Sequence, residues 1–112
     1  MVNANIEIAQ GQLDAYNAQN LDAHVAFFAE DMSISNLREA PNLSGIAAYR
    51  ERMAGVFAQF PDNKVELLNR IVLGNKVLDH EKVIRSPDAT PFEVVAVYSI
   101  ENGKIANVDF VK

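Results

Sequence analysis

The sequence contains no cysteine, and this absence removes several classes of chemistry. Disulfides, thiolate nucleophiles, iron–sulfur clusters and cysteine-ligated zinc are all excluded. Only two histidines, His24 and His80, are present, so a three-histidine metal site is impossible. The five glycines are too dispersed for a dinucleotide or phosphate cradle, and no Gly-x-Ser-x-Gly elbow occurs. We therefore expect neither a metal site nor a cofactor.

Long apolar runs and positive charge are also scarce. No stretch approaches the roughly 18 apolar residues of a membrane helix, and residues 1–10 show no secretory-signal pattern. With 15 acidic and 10 basic residues the net charge is -5, which disfavours a nucleic-acid partner. We expect a cytoplasmic protein that contacts neither nucleic acid nor membrane. Its 112 residues, 49% of them hydrophobic, suit one compact domain over residues 1–112.

Three helices are predicted in the first half of the chain. In the first helix the apolar residues recur at helical spacing, at Ile6, Ala9, Leu13 and Tyr16. Asn20 is a favourable N-cap for a short second helix. Ser44 is the expected N-cap of a third helix, which Pro61–Asp62 ends.

The remaining periodicity is that of strands. One strand is predicted from Met32 to about Arg38, before the third helix. Four more follow in hairpin-like order, at residues 65–73, 76–85, 92–100 and 104–111, with turns at Gly74–Asn75 and Asn102–Gly103. This order predicts an α+β fold with helices packed on one antiparallel sheet.

The Gly74–Asn75 turn predicts the register of its hairpin. If these two residues form the loop, Arg70 lies opposite Asp79 and Asn69 lies opposite His80. Arg70 and Asp79 would then form a cross-strand ion pair. Strand alternation also separates His80 from Asp79 and Glu81, which argues against a metal site in this segment.

His80 is the candidate general base. It is expected to share a face with aliphatic residues, namely Leu67, Ile71, Leu78 and Ile84. An imidazole in such surroundings titrates near neutral pH, as a general base requires. The alternative is a core or rim histidine bonded to Asn69 or to a backbone carbonyl. The opposite face is expected to be the outer surface of the sheet, with Arg70, Val77, Asp79, Glu81 and Asp109.

Other polar residues are weaker candidates. Asn36 is expected to face a cavity between helices and sheet, or else to make a strand-end hydrogen bond. Tyr16, Tyr49 and Tyr98 could each direct a hydroxyl into that cavity, or serve as core aromatic residues. For His24 we expect a surface or interface role.

Several motifs resemble those of the nuclear transport factor two-like superfamily. The segment 13–23, with the step Asn20-Leu21-Asp22-Ala23, and the segment 27–31 are similar to its opening helices and their exit into the first strand. Leu43-Ser44-Gly45 and residues 100–105 match the start of its third helix and its last hairpin. Within the superfamily the chain is similar to the SnoaL-like and ketosteroid-isomerase-like branch.

The resemblance implies a cystatin-like α+β roll, in which a cone-shaped, curved antiparallel sheet wraps round the three helices. It also implies a deep, mainly apolar pocket and a homodimer, here through the outer face of the sheet. By ungapped counting, the isomerase base and its two oxyanion-hole residues fall at Asn36, Gln12 and Ala96. None of these can supply the acid–base chemistry of a steroid isomerase, so that reaction is not expected.

The expected function is therefore the binding of a small apolar molecule, with isomerase, dehydratase or hydrolase-type acid–base chemistry through His80 and Asn36. The expected pocket residues are Gln12, Tyr16, Met53, Phe57, Val65, Leu67, Asn69, Val94, Ala96, Tyr98, Val108 and Phe110. The alternatives are a non-catalytic ligand-binding module and a dimerisation module.

Overall fold

The computed structural model describes residues 3–112, so the first two residues of the predicted domain lie outside the described part. Three helices and six strands occur in it. They are α1 (Ala4–Asn17), α2 (Leu21–Val25), β1 (Phe28–Asn36), β2 (Leu43–Ser44), α3 (Ile46–Gln59), β3 (Lys64–Leu73), β4 (Lys76–Ile84), β5 (Phe92–Glu101) and β6 (Lys104–Val111).

Side-chain caps define the starts of the first two helices. The side chains of Asn3 and Asn20 accept hydrogen bonds from backbone N–H groups in the first turns of α1 and α2, which confirms the predicted Asn20 cap. The predicted Ser44 cap of α3 is wrong. Ser44 belongs to the short strand β2, and Gly45 is the N-cap with a φ of 93°, a conformation that favours glycine.

The strands form one curved sheet in the order β2-β1-β6-β5-β4-β3. All neighbouring pairs are antiparallel except β1 and β6, which run parallel. Register shifts interrupt the β1–β6, β3–β4 and β5–β6 pairs, and such bulges bend a sheet. The helices pack against this sheet. The predicted α+β class with a curved sheet is thus confirmed, and the parallel pair is an addition to it.

The predicted register of the β3–β4 hairpin is confirmed. Leu73 pairs with Lys76 around the turn, Arg70 with Asp79, and Asn69 with His80. The predicted ion pair is also present, because the Arg70 guanidinium donates to both carboxylate oxygens of Asp79 at 2.7 and 2.9 Å.

The faces of β4 are the reverse of those predicted. Val77, Asp79, Glu81 and Val83 are buried on the inner, helix-facing side, with Asp79 0% and Glu81 5% exposed. The side chain of His80 lies on the outer side and is 42% exposed. The face assignment failed because aliphatic residues occur on both faces of β4 and the two acids were assigned to the solvent side. A bulge after Leu67 also places that residue opposite Glu81, on the inner face and not on the face of His80.

The main hydrophobic core lies between the helices and the inner face of the sheet. It combines residues of all three helices with strand residues such as Met32, Val77, Ala96, Ile105 and Val108. Within residues 3–112, no helix has both the length and the apolar character needed to cross a membrane.

Candidate functional site

A cavity of about 310 Å³ lies between the helices and the inner face of the sheet. This volume is at the lower end of the range of small-molecule sites, which is roughly 300–1,000 Å³. Its wall is mainly apolar and includes Leu13, Phe28, Ile34, Met53, Val56, Val65, Val83, Val94, Val108 and Phe110. The polar groups that reach it from inside the protein are Gln12, Tyr16, His24, Tyr49, Glu81 and Tyr98.

Glu81 is the acidic residue in this wall. Strand β4 directs it inward between Asp79 and Val83, and its side chain is buried. Burial and the nearby charge of Asp79 raise the pKa of Glu81 to about 8, while a hydrogen bond with Tyr98 and the charge of Arg70 act in the opposite direction. The cavity is therefore faced by a carboxyl group that is mostly protonated at neutral pH.

Tyr98 joins Glu81 to the first helix. Its hydroxyl accepts a hydrogen bond of 2.9 Å from the Gln12 amide, and the same amide donates to the Ala9 carbonyl at 3.0 Å. Burial raises the pKa of the Tyr98 hydroxyl well above its ordinary value, so the hydroxyl stays protonated. These bonds fix the hydroxyl beside Glu81.

His24 and Tyr49 form a second buried polar pair. The Nδ1 atom of His24 lies 2.8 Å from the backbone oxygen of Gln12, and its Nε2 atom lies 2.7 Å from the Tyr49 hydroxyl. Because a carbonyl can only accept, Nδ1 carries the proton and Nε2 accepts from Tyr49. Burial lowers the pKa of His24, so the ring is neutral and its orientation is fixed by these two bonds.

Three basic side chains mark the mouth of the cavity. Arg52 of α3 and Lys112 after β6 are exposed, whereas Arg85, directly after β4, is half-buried. The Arg85 guanidinium donates to the Tyr16 hydroxyl at 3.3 Å. It also lies over the rings of Phe60 and Phe92, at 5.1 and 5.5 Å from their centroids. The apolar cavity, with Glu81 in its wall, thus has positively charged side chains at its mouth.

Eight residues of the predicted pocket line this cavity, namely Gln12, Tyr16, Met53, Val65, Val94, Tyr98, Val108 and Phe110. Four others do not. Phe57 and Ala96 are part of the main hydrophobic core. Leu67 packs against a smaller cluster, which consists of Leu13, Val65, Val83 and Val94. Asn69 is exposed, and its side chain accepts a hydrogen bond from the backbone of Arg70.

Neither predicted catalytic residue reaches the cavity. His80 is on the outer face, where its Nε2 atom lies 2.6 Å from a carboxylate oxygen of Glu93. Asn36 is half-buried at the end of β1, beside Phe110 of β6, and is not part of the wall. The predicted surface or interface role of His24 is also wrong, since that side chain is 1% exposed and lines the cavity.

The sequence pattern of β4 allowed an inward position for Glu81, but the charge of this residue led to its assignment to the outer face. Val77, Asp79, Glu81 and Val83 alternate regularly, so the two acids share a face with two valines. For His24 and Tyr49 the helical spacing of apolar residues is compatible with burial but does not indicate that the two side chains meet. Their pairing requires that α2 and α3 meet, which the sequence does not specify.

No group of three or more His, Asp and Glu side chains suited to a metal ion occurs in residues 3–112. The polar atoms that reach the cavity from inside the protein instead belong to a carboxyl group, three tyrosines, an amide and a neutral imidazole. This set can exchange protons with a ligand and form hydrogen bonds with its oxygen atoms.

Comparisons with known proteins agree with this architecture. A cystatin-fold protein from Novosphingobium aromaticivorans is 35% identical, with 99% of this chain and 100% of that chain covered and a TM-score of 0.91. An LEH-like epoxide hydrolase from Mycobacterium tuberculosis is 17% identical, with 96% and 80% covered and a TM-score of 0.81. A nuclear transport factor two-like protein from Cytophaga hutchinsonii is 14% identical, with 99% and 90% covered and a TM-score of 0.80. The last two show a likeness of fold alone. No curated protein matches the chain.

The three helices and the curved sheet around a cavity form the fold that is also seen in nuclear transport factor two-like proteins. The family model of the SnoaL-like domain matches residues 9–108, and the chain belongs to this family. The resemblance seen in the sequence is thereby confirmed.

Proposed function

We propose that the chain binds a small, mainly apolar molecule in this cavity and catalyses acid–base chemistry on it with Glu81. The observation that carries the proposal is a buried carboxyl group at the wall of an apolar cavity, with a pKa raised to about 8. A general acid is most effective when its pKa is close to the working pH. Glu81 thus takes the role that the sequence suggested for His80.

The proposed chemistry is the loss of water from a β-hydroxy carbonyl compound. The carboxyl group of Glu81 gives its proton to the departing hydroxyl as the carbon–oxygen bond breaks, and the bonding pair leaves with the oxygen as water. The resulting carboxylate takes the proton from the carbon next to the carbonyl, and that electron pair forms the new double bond. Glu81 is then protonated again, and no cofactor is consumed.

The neighbours of Glu81 support this role. A hydrogen bond with Tyr98 and the charge of Arg70 favour the carboxylate that forms during the reaction. Gln12 holds the Tyr98 hydroxyl in place. The apolar wall limits the number of water molecules that could compete for the proton. A steroid isomerase mechanism is not proposed, because its expected positions hold Asn36, Gln12 and Ala96.

The test is a dehydration assay with small β-hydroxy ketones that carry a phenyl or cyclohexyl group, in which the conjugated enone is followed by its absorbance. Loss of a general acid typically lowers the rate about 10²–10⁴-fold, and we expect this for Glu81→Gln. The matched control is Glu51→Gln, a carboxyl-to-amide change at an exposed site of α3 outside the cavity wall that should leave the rate unchanged. The rate of the wild-type chain should fall as the pH rises through about 8.

Two results would contradict the proposal. If Glu81→Gln retains the wild-type rate, Glu81 is not the acid. If the compounds bind without turnover, the chain is the non-catalytic ligand-binding module that the sequence left open.

We also propose a homodimer through the outer face of the sheet. This face carries two cross-strand rows, Ile71–Leu78–Val97–Asp109 and Asn69–His80–Val95–Val111. Ile71 is 56% and Val111 37% exposed, so apolar area is open to solvent in the single chain. Groups of both charge signs, including Lys82 and Glu93, lie beside these rows. A second copy related by a two-fold axis could cover the apolar area and oppose the unlike charges.

A further inference from the structure

The cavity mouth concentrates positive charge in an acidic protein. Arg52, Arg85 and Lys112 all line it, although the chain has only 10 basic residues and a net charge of -5. The salt bridges within residues 3–112 are Arg50–Asp22, Arg70–Asp79 and His80–Glu93. In that described part, none of the three mouth cations has a carboxylate partner.

Arg85 is the fixed member of this group. The Tyr16 hydroxyl accepts one of its hydrogen bonds, and the Phe60 and Phe92 rings lie within 5.5 Å of its central carbon. A half-buried guanidinium normally pairs with an anion, because a planar fork of donors matches a carboxylate. Here the neighbours hold the guanidinium in place without neutralising it.

We propose that the substrate is an amphipathic carboxylate, whose apolar body occupies the cavity and whose carboxylate binds Arg85 between Arg52 and Lys112. This inference rests on the proposed function and adds the class of substrate to it. The apolar wall requires an apolar body, whereas an uncharged substrate would leave the fixed guanidinium without a partner. Arg52, which donates a hydrogen bond of 3.1 Å to the Asn42 side chain, and Lys112 are exposed, and they add positive charge beside the bound anion.

The number of residues between Glu81 in β4 and Arg85 directly after it indicates the length of the substrate. Arg85 follows Glu81 by four residues, which in a strand corresponds to roughly 13 Å between their Cα atoms. The long Arg85 side chain shortens the distance that the ligand must span. The reacting oxygen and the carboxylate are therefore expected at opposite ends of the substrate.

The test compares two probes of nearly the same shape, cinnamate and its uncharged amide cinnamamide, by NMR titration of the backbone amides of the full chain. A charged hydrogen bond in a partly buried site corresponds to about tenfold in affinity, so cinnamate should bind about tenfold more tightly than cinnamamide. Arg85→Gln should remove this preference and leave the cinnamamide affinity within about twofold. Added salt should weaken cinnamate binding and not cinnamamide binding.

Arg50→Gln is the matched control, because it removes one positive charge from an exposed site of α3 outside the cavity wall. It should leave both affinities unchanged. Equal affinities of the two probes for the wild-type chain would overturn the inference and leave the proposed function standing. Equal weakening of both probes by Arg85→Gln would also overturn it, since Arg85 would then only support the structure. Binding of neither probe would overturn the inference and the proposed function together.

Discussion

Among the individual residues, Glu81 makes the stability of the protein depend on pH. Its pKa is about 8 in the folded chain, against an ordinary value of 4.5. Between these values the folded state holds a proton that the unfolded state releases. The free energy of unfolding should therefore fall as the pH rises from about 4.5 to about 8, with about 1.4 kcal/mol for each unit of pKa difference.

We expect Glu81→Gln to remove this decrease. The measurement is urea unfolding of the wild-type chain and the variant at about pH 5 and about pH 9. His24 acts in the opposite direction, because its pKa is lowered from 6.5 and stability is lost as the pH falls below that value, but it does so equally in both proteins. Glu66→Gln, at an exposed site of β3, should show the wild-type difference. Equal pH dependence in Glu81→Gln and the wild-type chain would contradict the raised pKa.

The buried ion pair predicts a second effect of a single residue. Asp79 is fully buried, and Arg70 is its charged partner. Removal of one member of such a pair costs about 3–5 kcal/mol, because the other is left as an unpaired buried charge, and we expect this loss for Arg70→Ala. Arg50→Ala breaks an exposed pair with Asp22 and should cost less than about 1 kcal/mol. Similar urea midpoints for the two variants would show that the Arg70 pair is not buried in solution.

Among the helices and strands, a glycine determines how closely helix α1 can approach the chain after α2. A Cβ atom added at Gly11 would lie 2.5 Å from the ring of Phe27, whereas one added at Gly55 of α3 would meet nothing within 4 Å. Gly11→Ala should therefore destabilise the chain by about 1–3 kcal/mol through overpacking. Gly55→Ala should stabilise it by about 0.5–1 kcal/mol, because alanine favours a helix. Thermal unfolding distinguishes these outcomes, and a stabilised Gly11→Ala would contradict the close packing.

Strand β4 shows how far the sequence could determine this site. The Gly74–Asn75 turn was sufficient to predict the register, including the Arg70–Asp79 pair. The inner face could not be predicted, because β4 has aliphatic residues on both faces. The charges of Asp79 and Glu81 then led to the prediction that their face is the outer one. Acids normally face water, but here Asp79 is neutralised by Arg70 and Glu81 by its own proton.

The same limit applies to the other elements. The local caps and turns, such as Asn20, were readable because each depends on a few adjacent residues. The parallel pairing of β1 with β6 joins residues more than 70 positions apart, as in Ser33 with Asn107, and no local pattern specifies it. The predicted α+β class is correct although the parallel pair was not predicted, because the class depends only on the order of helices and strands.

For the whole molecule, the outer sheet face predicts the oligomeric state. If a second copy covers this face, the wild-type chain should be a dimer at micromolar concentration and Leu78→Lys a monomer, because a charge would replace an apolar residue in the middle of a cross-strand row. Leu37→Lys is the control, since Leu37 is exposed outside the strands. Sedimentation equilibrium gives the answer. A monomeric wild-type chain, or a dimeric Leu78→Lys, would contradict the proposed dimer.

The proposed chemistry depends on one protonated carboxyl group within the apolar wall of the cavity. The most direct measurement is an NMR titration of the side-chain carboxyl carbons of the chain labelled at glutamate, with Glu81→Gln used to assign the Glu81 signal. This signal should titrate at a pKa of about 8. Titration of Glu81 near its ordinary value of 4.5 would mean that the group is ionised at neutral pH and would contradict its role as the acid.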